Sequence, residues 1–247
     1  MAISLDANMA VQQTQQRISS GKQINSAKDD AAGSAISTRI DAAVNGKTQA
    51  IKNAGDGASL LQTASGTLSS VTDGLQRLRE LTMQSGNGIY SESDKALLEK
   101  EKQQLLSGIN ESLKSASFNG QSLFSESKSL DLQVGDQAGQ TLAVALPDLS
   151  DLSNNLNSLD DIDAAISTVT EQAVNFGAAQ NRLDATVERL SQSSLDAQQA
   201  RSRIEDADLA KEISELTANN VRDQIDIAMQ AQANQDQGKV LQLLNLA

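Results

Sequence analysis

The 247-residue sequence contains no histidine, no cysteine and no tryptophan, a single proline and only 2% aromatic residues. Each absence excludes chemistry. Without His or Cys there is no Ser-His-Asp or Cys-His nucleophile system, no zinc finger and no haem or iron–sulfur ligation. Disulfides are impossible, so cysteine usage says nothing about redox compartment. Basic residues are outnumbered, 20 Lys and Arg against 32 Asp and Glu, for a formal charge of −12. That balance argues against binding nucleic acid or an anionic membrane by charge. Residues 1–13 lack the basic and apolar regions of a secretory signal, and no apolar run is long enough to span a membrane.

What is present is periodic. Hydrophobic residues make up 38% of the chain, mostly Ala, Leu, Ile and Val. Leu61, Ala64, Leu68, Val71, Leu75 and Leu78 follow alternating three- and four-residue steps, as do Ile162, Ile166, Val169, Ala173, Phe176, then the polar Gln180, then Leu183, Val187 and Leu190. Such spacing puts apolar atoms in one narrow stripe of a helix. With one Pro, Pro147, little interrupts these stretches. Helices are therefore expected over about 34–86 and 158–204, with a third from Ser93 to Ser115 after the turn-rich Ser85-Gly86-Asn87-Gly88. Leu130, Leu132 and Val134, then Leu142, Val144 and Leu146, alternate with polar residues around a Gly-containing turn. This predicts one β-hairpin over about 128–146. The expected fold is mainly α: an elongated antiparallel helical bundle or coiled coil carrying a small hairpin.

The two ends are amphipathic as well. Leu209, Ile213, Leu216, Val221, Ile225, Leu241 and Leu244 form a long helical stripe, and Ile3, Leu5, Met9, Val11 and Ile18 a shorter one. Unmatched apolar stripes mark surfaces that order on assembly; pairing of the two ends within one chain is the alternative. The expected organisation is an N-terminal helix over 1–32, a helical domain over 33–204 and a C-terminal helix over 205–247, the terminal helices forming a separate coiled coil.

Several motifs suggest chemistry and lack its context. Gly46-Lys47-Thr48 ends like a phosphate loop, but Asp41 stands where its first glycine belongs. Asp160, Asp161 and Asp163 lack the glycine and distal glutamate of a calcium loop, and suit a helix N-terminus instead. Clustered acids at Asp29-Asp30 and Glu205-Asp206, beside Lys28, Arg201 and Arg203, read as ion pairs. No catalytic, cofactor or metal residue is expected, and the chain is read as a non-enzyme.

Two strings are more specific: Arg17-Ile18-Ser19-Ser20-Gly21-Lys22 through Asp29-Asp30-Ala31-Ala32-Gly33, and Ala200-Arg201-Ser202-Arg203-Ile204-Glu205-Asp206-Ala207-Asp208. Together with Asn53-Ala54-Gly55-Asp56-Gly57, Leu75-Gln76-Arg77-Leu78-Arg79-Glu80-Leu81, Phe118-Asn119-Gly120 and Ala231-Gln232-Ala233-Asn234, they resemble bacterial flagellin along essentially the whole chain. The resemblance implies a structural subunit that polymerises into the flagellar filament for motility. In it the chain ends would form an inner tube and the long helices with the hairpin an outer tube. Only Pro147 to about Ser158 stands where larger flagellins insert outer domains, so the chain resembles a short, core-only member. The segment before Arg17 is shorter than the family pattern by roughly a dozen residues, about three to four turns of helix. The alternatives are a hook–filament junction protein and a monomeric secreted coiled-coil adhesin.

The resemblance also implies partners: other copies of the chain, an export chaperone at the C-terminal helix, filament cap and hook-junction proteins, and the animal Toll-like receptor for flagellin. Nucleic acid and a membrane span are not expected, and the implied location is extracellular, after export. Subunit-interface candidates are Lys28, Arg39, Arg201 and Arg203 facing Asp29, Asp30, Glu205 and Asp206, with the apolar Leu209, Ile213, Leu216, Ile225, Leu241 and Leu244. The receptor-facing residues implied are Gln76, Arg77, Leu81 and Glu101.

Overall fold

The computed structural model describes the backbone of residues 2–154 and 156–244, and side chains from 9 to 239 except 155. Among these residues lie five helices: α1 (Ala2–Ser20), α2 (Ala31–Ser85), α3 (Glu92–Ser115), α4 (Leu159–Glu205) and α5 (Leu209–Leu244). Four short strands complete the chain, β1 (Ser117–Phe118), β2 (Gln121–Ser122), β3 (Lys128–Gln133) and β4 (Thr141–Leu146). The chain divides into two compact units, Met1–Ala43 with Leu195–Ala247, and Val44–Ser194. Both dividing points fall inside long helices, whereas the boundaries expected from sequence lay at 32/33 and 204/205.

Helix starts are set by side chains that satisfy the first free N–H groups. Ser91 and Asp94 form a reciprocal capping box at α3. Ser158 and Asp161 do the same at α4, with Asp161 N–H donating to Ser158 Oγ at 3.1 Å and Ser158 N–H to Asp161 Oδ2 at 3.0 Å. Asp30 Oδ1 accepts from Ala32 N–H at 3.0 Å to start α2, and Asp208 Oδ1 from Ala210 N–H at 3.0 Å to start α5. Gly46-Lys47-Thr48 lies in the interior of α2, where no phosphate loop is possible.

In the unit of 44–194, α2 and α4 run antiparallel. As α2 positions fall from Arg79 to Gly57 to Lys47, their neighbours on α4 rise from Asp163 to Leu183 to Ser193. The expected stripes face one another: Leu61, Leu68, Leu75, Ile162, Val169 and Leu183 are fully buried. Ile109 and Leu113 of α3 join the same core, as do Leu142, Val144 and Leu146, which alternate with exposed residues along β4. Phe124 and Phe176 supply its only aromatic pair among the described residues, with ring centroids 6.4 Å apart. A single hairpin was expected; the strands instead form two antiparallel pairs. β3 and β4 pair from Lys128↔Leu146 to Gln133↔Thr141. β1 and β2 are joined by Asn119 and Gly120, at φ 50° and 76°. Positive φ at both turn residues is what an Asn-Gly hairpin turn uses, and two-residue strands are too short to leave an alternation.

Candidate assembly surface

The unit formed by the chain ends is tied together by polar contacts. α1 packs against α5, where Arg17 Nη1 stands 3.5 Å from Glu212 Oε1. Glu212 is buried, and its Oε2 has no hydrogen-bond partner among the described residues. At the junction of α4 and α5, Glu205 is 8% exposed and takes Lys22 Nζ on Oε1 and Ser37 Oγ on Oε2 at 2.7 Å. Hydrogen bonds from Lys22 and Ser37 hold its carboxyl below the usual range, outweighing the opposing effect of burial. Backbone bonds run in parallel, Gln23 N–H to Glu205 O at 2.7 Å and Ala207 N–H to Gly21 O at 2.9 Å. Gly21 is at φ 69° in this crossing, a conformation glycine adopts without strain. The signal in the sequence was the pair of strings that contain Lys22 and Glu205, but nothing in it shows that they meet.

The charged interface candidates separate into two groups. Glu205, an interface candidate, is buried within its own chain, where Lys22 and Ser37 donate to its two carboxylate oxygens. Asp29 is likewise occupied, its Oδ2 accepting from Asn25 N–H, Ser26 N–H and Ser26 Oγ. Asp30 serves as the α2 cap, Asp206 accepts from Ser202 Oγ, and Arg201 Nη1 pairs with Asp41 Oδ1 at 2.5 Å. Lys28, Arg39 and Arg203 are exposed and have no ion-pair partner among the described residues. These three cations face outward.

Apolar candidates behave differently. Leu209, Ile213 and Ile225 are about half exposed, Leu216 is half-buried, and Val221, Ile227 and Met229 are also open. The side chains of Leu241 and Leu244 lie outside the described residues. α5 has 36 residues and α1 has 19, about 54 Å against about 28 Å of helix. Arg17, near the end of α1, meets Glu212, near the start of α5, so α1 runs out alongside the first half of its partner. Farther on, the described apolar side chains, Met229 among them, are exposed.

Of the receptor string, Gln76 is exposed, and Arg77 donates to Glu80 at 3.0 Å and to Glu101 at 2.9 Å. Both acids hold the guanidinium more firmly charged. Leu81 is 0% exposed. It falls on the core side of α2, three residues after the buried Leu78. Open apolar surface near that string comes instead from Met83, Ile89 and Leu97, which are 54%, 87% and 62% exposed.

Two family models match the chain: the bacterial flagellin N-terminal helical region over residues 3–129 and the flagellin C-terminal helical region over 159–244. The chain belongs to the flagellin family. It is 40% identical to a flagellin of Halalkalibacterium halodurans, covering 98% of this chain and 97% of that protein. A Bacillus subtilis flagellin is 36% identical over 96% of this chain and 93% of its own. The crystal structure of Bacillus cereus flagellin superposes with a TM-score of 0.53 at 29% identity, covering 56% of this chain and 88% of that one. A Vibrio parahaemolyticus structure assigned as a flagellar hook-associated protein has a TM-score of 0.58 but 16% identity, covering 72% of this chain and all of that one; it shares the fold. As a flagellin the chain is short and core-only, since the two family regions are separated by only residues 130–158. The family is structural. Among the described residues no cluster of acids is arranged to hold a metal, and no helix is long and apolar enough to cross a membrane.

Proposed function

We propose that this flagellin acts as a structural subunit that polymerises into the bacterial flagellar filament, and that the open stripe of α5 is a surface other copies cover. The observation that carries this reading is the mismatch of α1 and α5: the 36-residue α5 outruns the 19-residue α1, and its Ile225, Ile227 and Met229 are 55%, 69% and 67% exposed among the described residues. Covering apolar surface contributes about 25 cal/mol per Å² before ordering costs. A contact between two different surfaces that does not close on itself propagates as a helical polymer. With −12 per subunit, like charge opposes this packing, and Lys28, Arg39 and Arg203 are the cations free to offset it on a neighbour's acids.

On the same reading the terminal helices, 1–32 and 205–247, make the inner layer of the filament and 33–204 the outer one. The C-terminal helix is the segment an export chaperone covers before assembly, and cap and hook-junction proteins contact the same ends. The chain works outside the cell and performs no catalysis. Gln76, Arg77 and Glu101 are the residues offered to the animal receptor for flagellin on depolymerised protein. A cell reporter assay of Arg77→Ala against wild type tests that; equal signalling removes Arg77 from the surface. Electron microscopy of concentrated protein tests the main reading. Wild type is expected to form filaments of regular diameter, whereas Ile225→Asp remains monomeric with unchanged helical content. Regular filaments from Ile225→Asp would overturn the role given to α5.

A further inference from the structure

Three Asn-Gly pairs occur in the chain, Asn45-Gly46, Asn87-Gly88 and Asn119-Gly120, and the fold treats each differently. An Asn-Gly peptide is chemically weak when the glycine nitrogen can reach the asparagine side-chain carbon, since no Cβ shields the approach. Asn45-Gly46 lies within α2, where the Gly46 N–H is used in the helical ladder and the backbone holds one conformation. Asn119-Gly120 is clamped between paired strands, Phe118↔Gln121 and Ser117↔Ser122, with Ala116, Leu123 and Phe124 buried around it.

Asn87-Gly88 is exposed in the turn between α2 and α3. Here Asn87 Oδ1 accepts from Ile89 N–H at 3.2 Å, so the carboxamide folds back over the peptide that follows it. Asn87 is further held by its own N–H on Gln84 O at 3.1 Å and by its carbonyl, which accepts from Tyr90 N–H at 3.4 Å. No acceptor among the described residues takes the Gly88 N–H. The oxygen that gains negative charge when nitrogen attacks the carboxamide therefore already carries an N–H donor, and the attacking nitrogen is unengaged.

We propose that Asn87 is the site of spontaneous deamidation in this chain, selected over the other two pairs by its turn. The Gly88 nitrogen, losing its proton to solvent base, bonds to Asn87 Cγ, and the Cγ–Nδ2 bond breaks with release of ammonia. Water then opens the five-membered imide at either carbonyl, leaving aspartate or isoaspartate at position 87. The product adds a negative charge to the turn that precedes α3. The isoaspartyl form also inserts one carbon into the backbone between the Asn87 Cα and the Gly88 nitrogen.

The test is peptide mapping of folded full-length protein aged at mildly alkaline pH, with isoaspartate detected by enzymatic methyl transfer. Asn87 is expected to convert at least about tenfold faster than Asn45 and Asn119, and in denaturing urea the three are expected to converge. The control is Gly88→Ala: Gly88 is not at positive φ and an added Cβ meets nothing within 4 Å, so the fold is kept while the new methyl blocks the attack. Conversion at Asn87 should then fall at least about tenfold, with Asn119 unchanged. Equal rates at the three sites in folded protein, or a Gly88→Ala rate equal to wild type, would overturn the assignment.

Discussion

Ser37 Oγ donates to Glu205 Oε2 at 2.7 Å, joining residues 168 positions apart, while Lys22 occupies the other carboxylate oxygen. One buried carboxylate thus gathers the α1–α2 connection, the first turns of α2 and the end of α4. Replacing it by Ala leaves Lys22 and Ser37 without their acceptor. Glu205→Ala is expected to destabilise the terminal unit by roughly 1–3 kcal/mol, the usual effect of losing hydrogen bonds to a charged group. Limited proteolysis around residues 20–30 reports it; unchanged cleavage would count against the role.

The same contact makes a pH prediction. Glu205 has a lowered pKa in the folded chain, so its stabilisation is fully present above the ordinary carboxylate range. It is lost as pH falls through the lower folded value. Protease sensitivity near Lys22 should therefore rise on acidification in wild type and be less pH-dependent in Glu205→Gln.

Glycines in α2 divide by what surrounds them. A Cβ on Gly66 meets nothing within 4 Å, whereas on Gly74 it would lie 2.9 Å from Ile109 Cγ1. Gly66→Ala should stabilise by about 0.5–1 kcal/mol, as alanine does in an open helix position. Gly74→Ala should lower the thermal midpoint, because α3 must shift away. Opposite signs in thermal unfolding by circular dichroism are the expected result.

In the core, Leu75→Ala removes a fully buried side chain from the α2 stripe. A loss of about 2–5 kcal/mol in urea unfolding is expected. Arg203, exposed and without an ion-pair partner among the described residues, should behave in the opposite way. Arg203→Glu is expected to leave monomer unfolding unchanged and to weaken filaments more at low salt than at high, since screening weakens exposed charge pairs. Turbidity after mixing with wild-type seeds measures this, and salt-independent loss would remove Arg203 from the interface.

The sequence by itself determined the helices. Long three-and-four spacing, one proline and capping serines place α2, α3 and α4 within a few residues of where they stand, because helix identity depends on neighbours one turn away. It also determined the β3–β4 hairpin through two-residue alternation, and the family through its terminal strings. Local patterns did not reveal what distant residues do to one another. Leu81 looks like a surface residue within its string, yet tertiary packing buries it; Glu205 looks like one acid in a charged run, yet Lys22 and Ser37 enclose it. The β1–β2 pair is two residues per strand, too short to carry a period, and depends on the turn and on Leu123 and Phe124 beneath it. Tertiary structure alone decided which charges are spent inside the chain and which face outward. Pairing energies depend on burial and partner geometry, and neither is local in sequence.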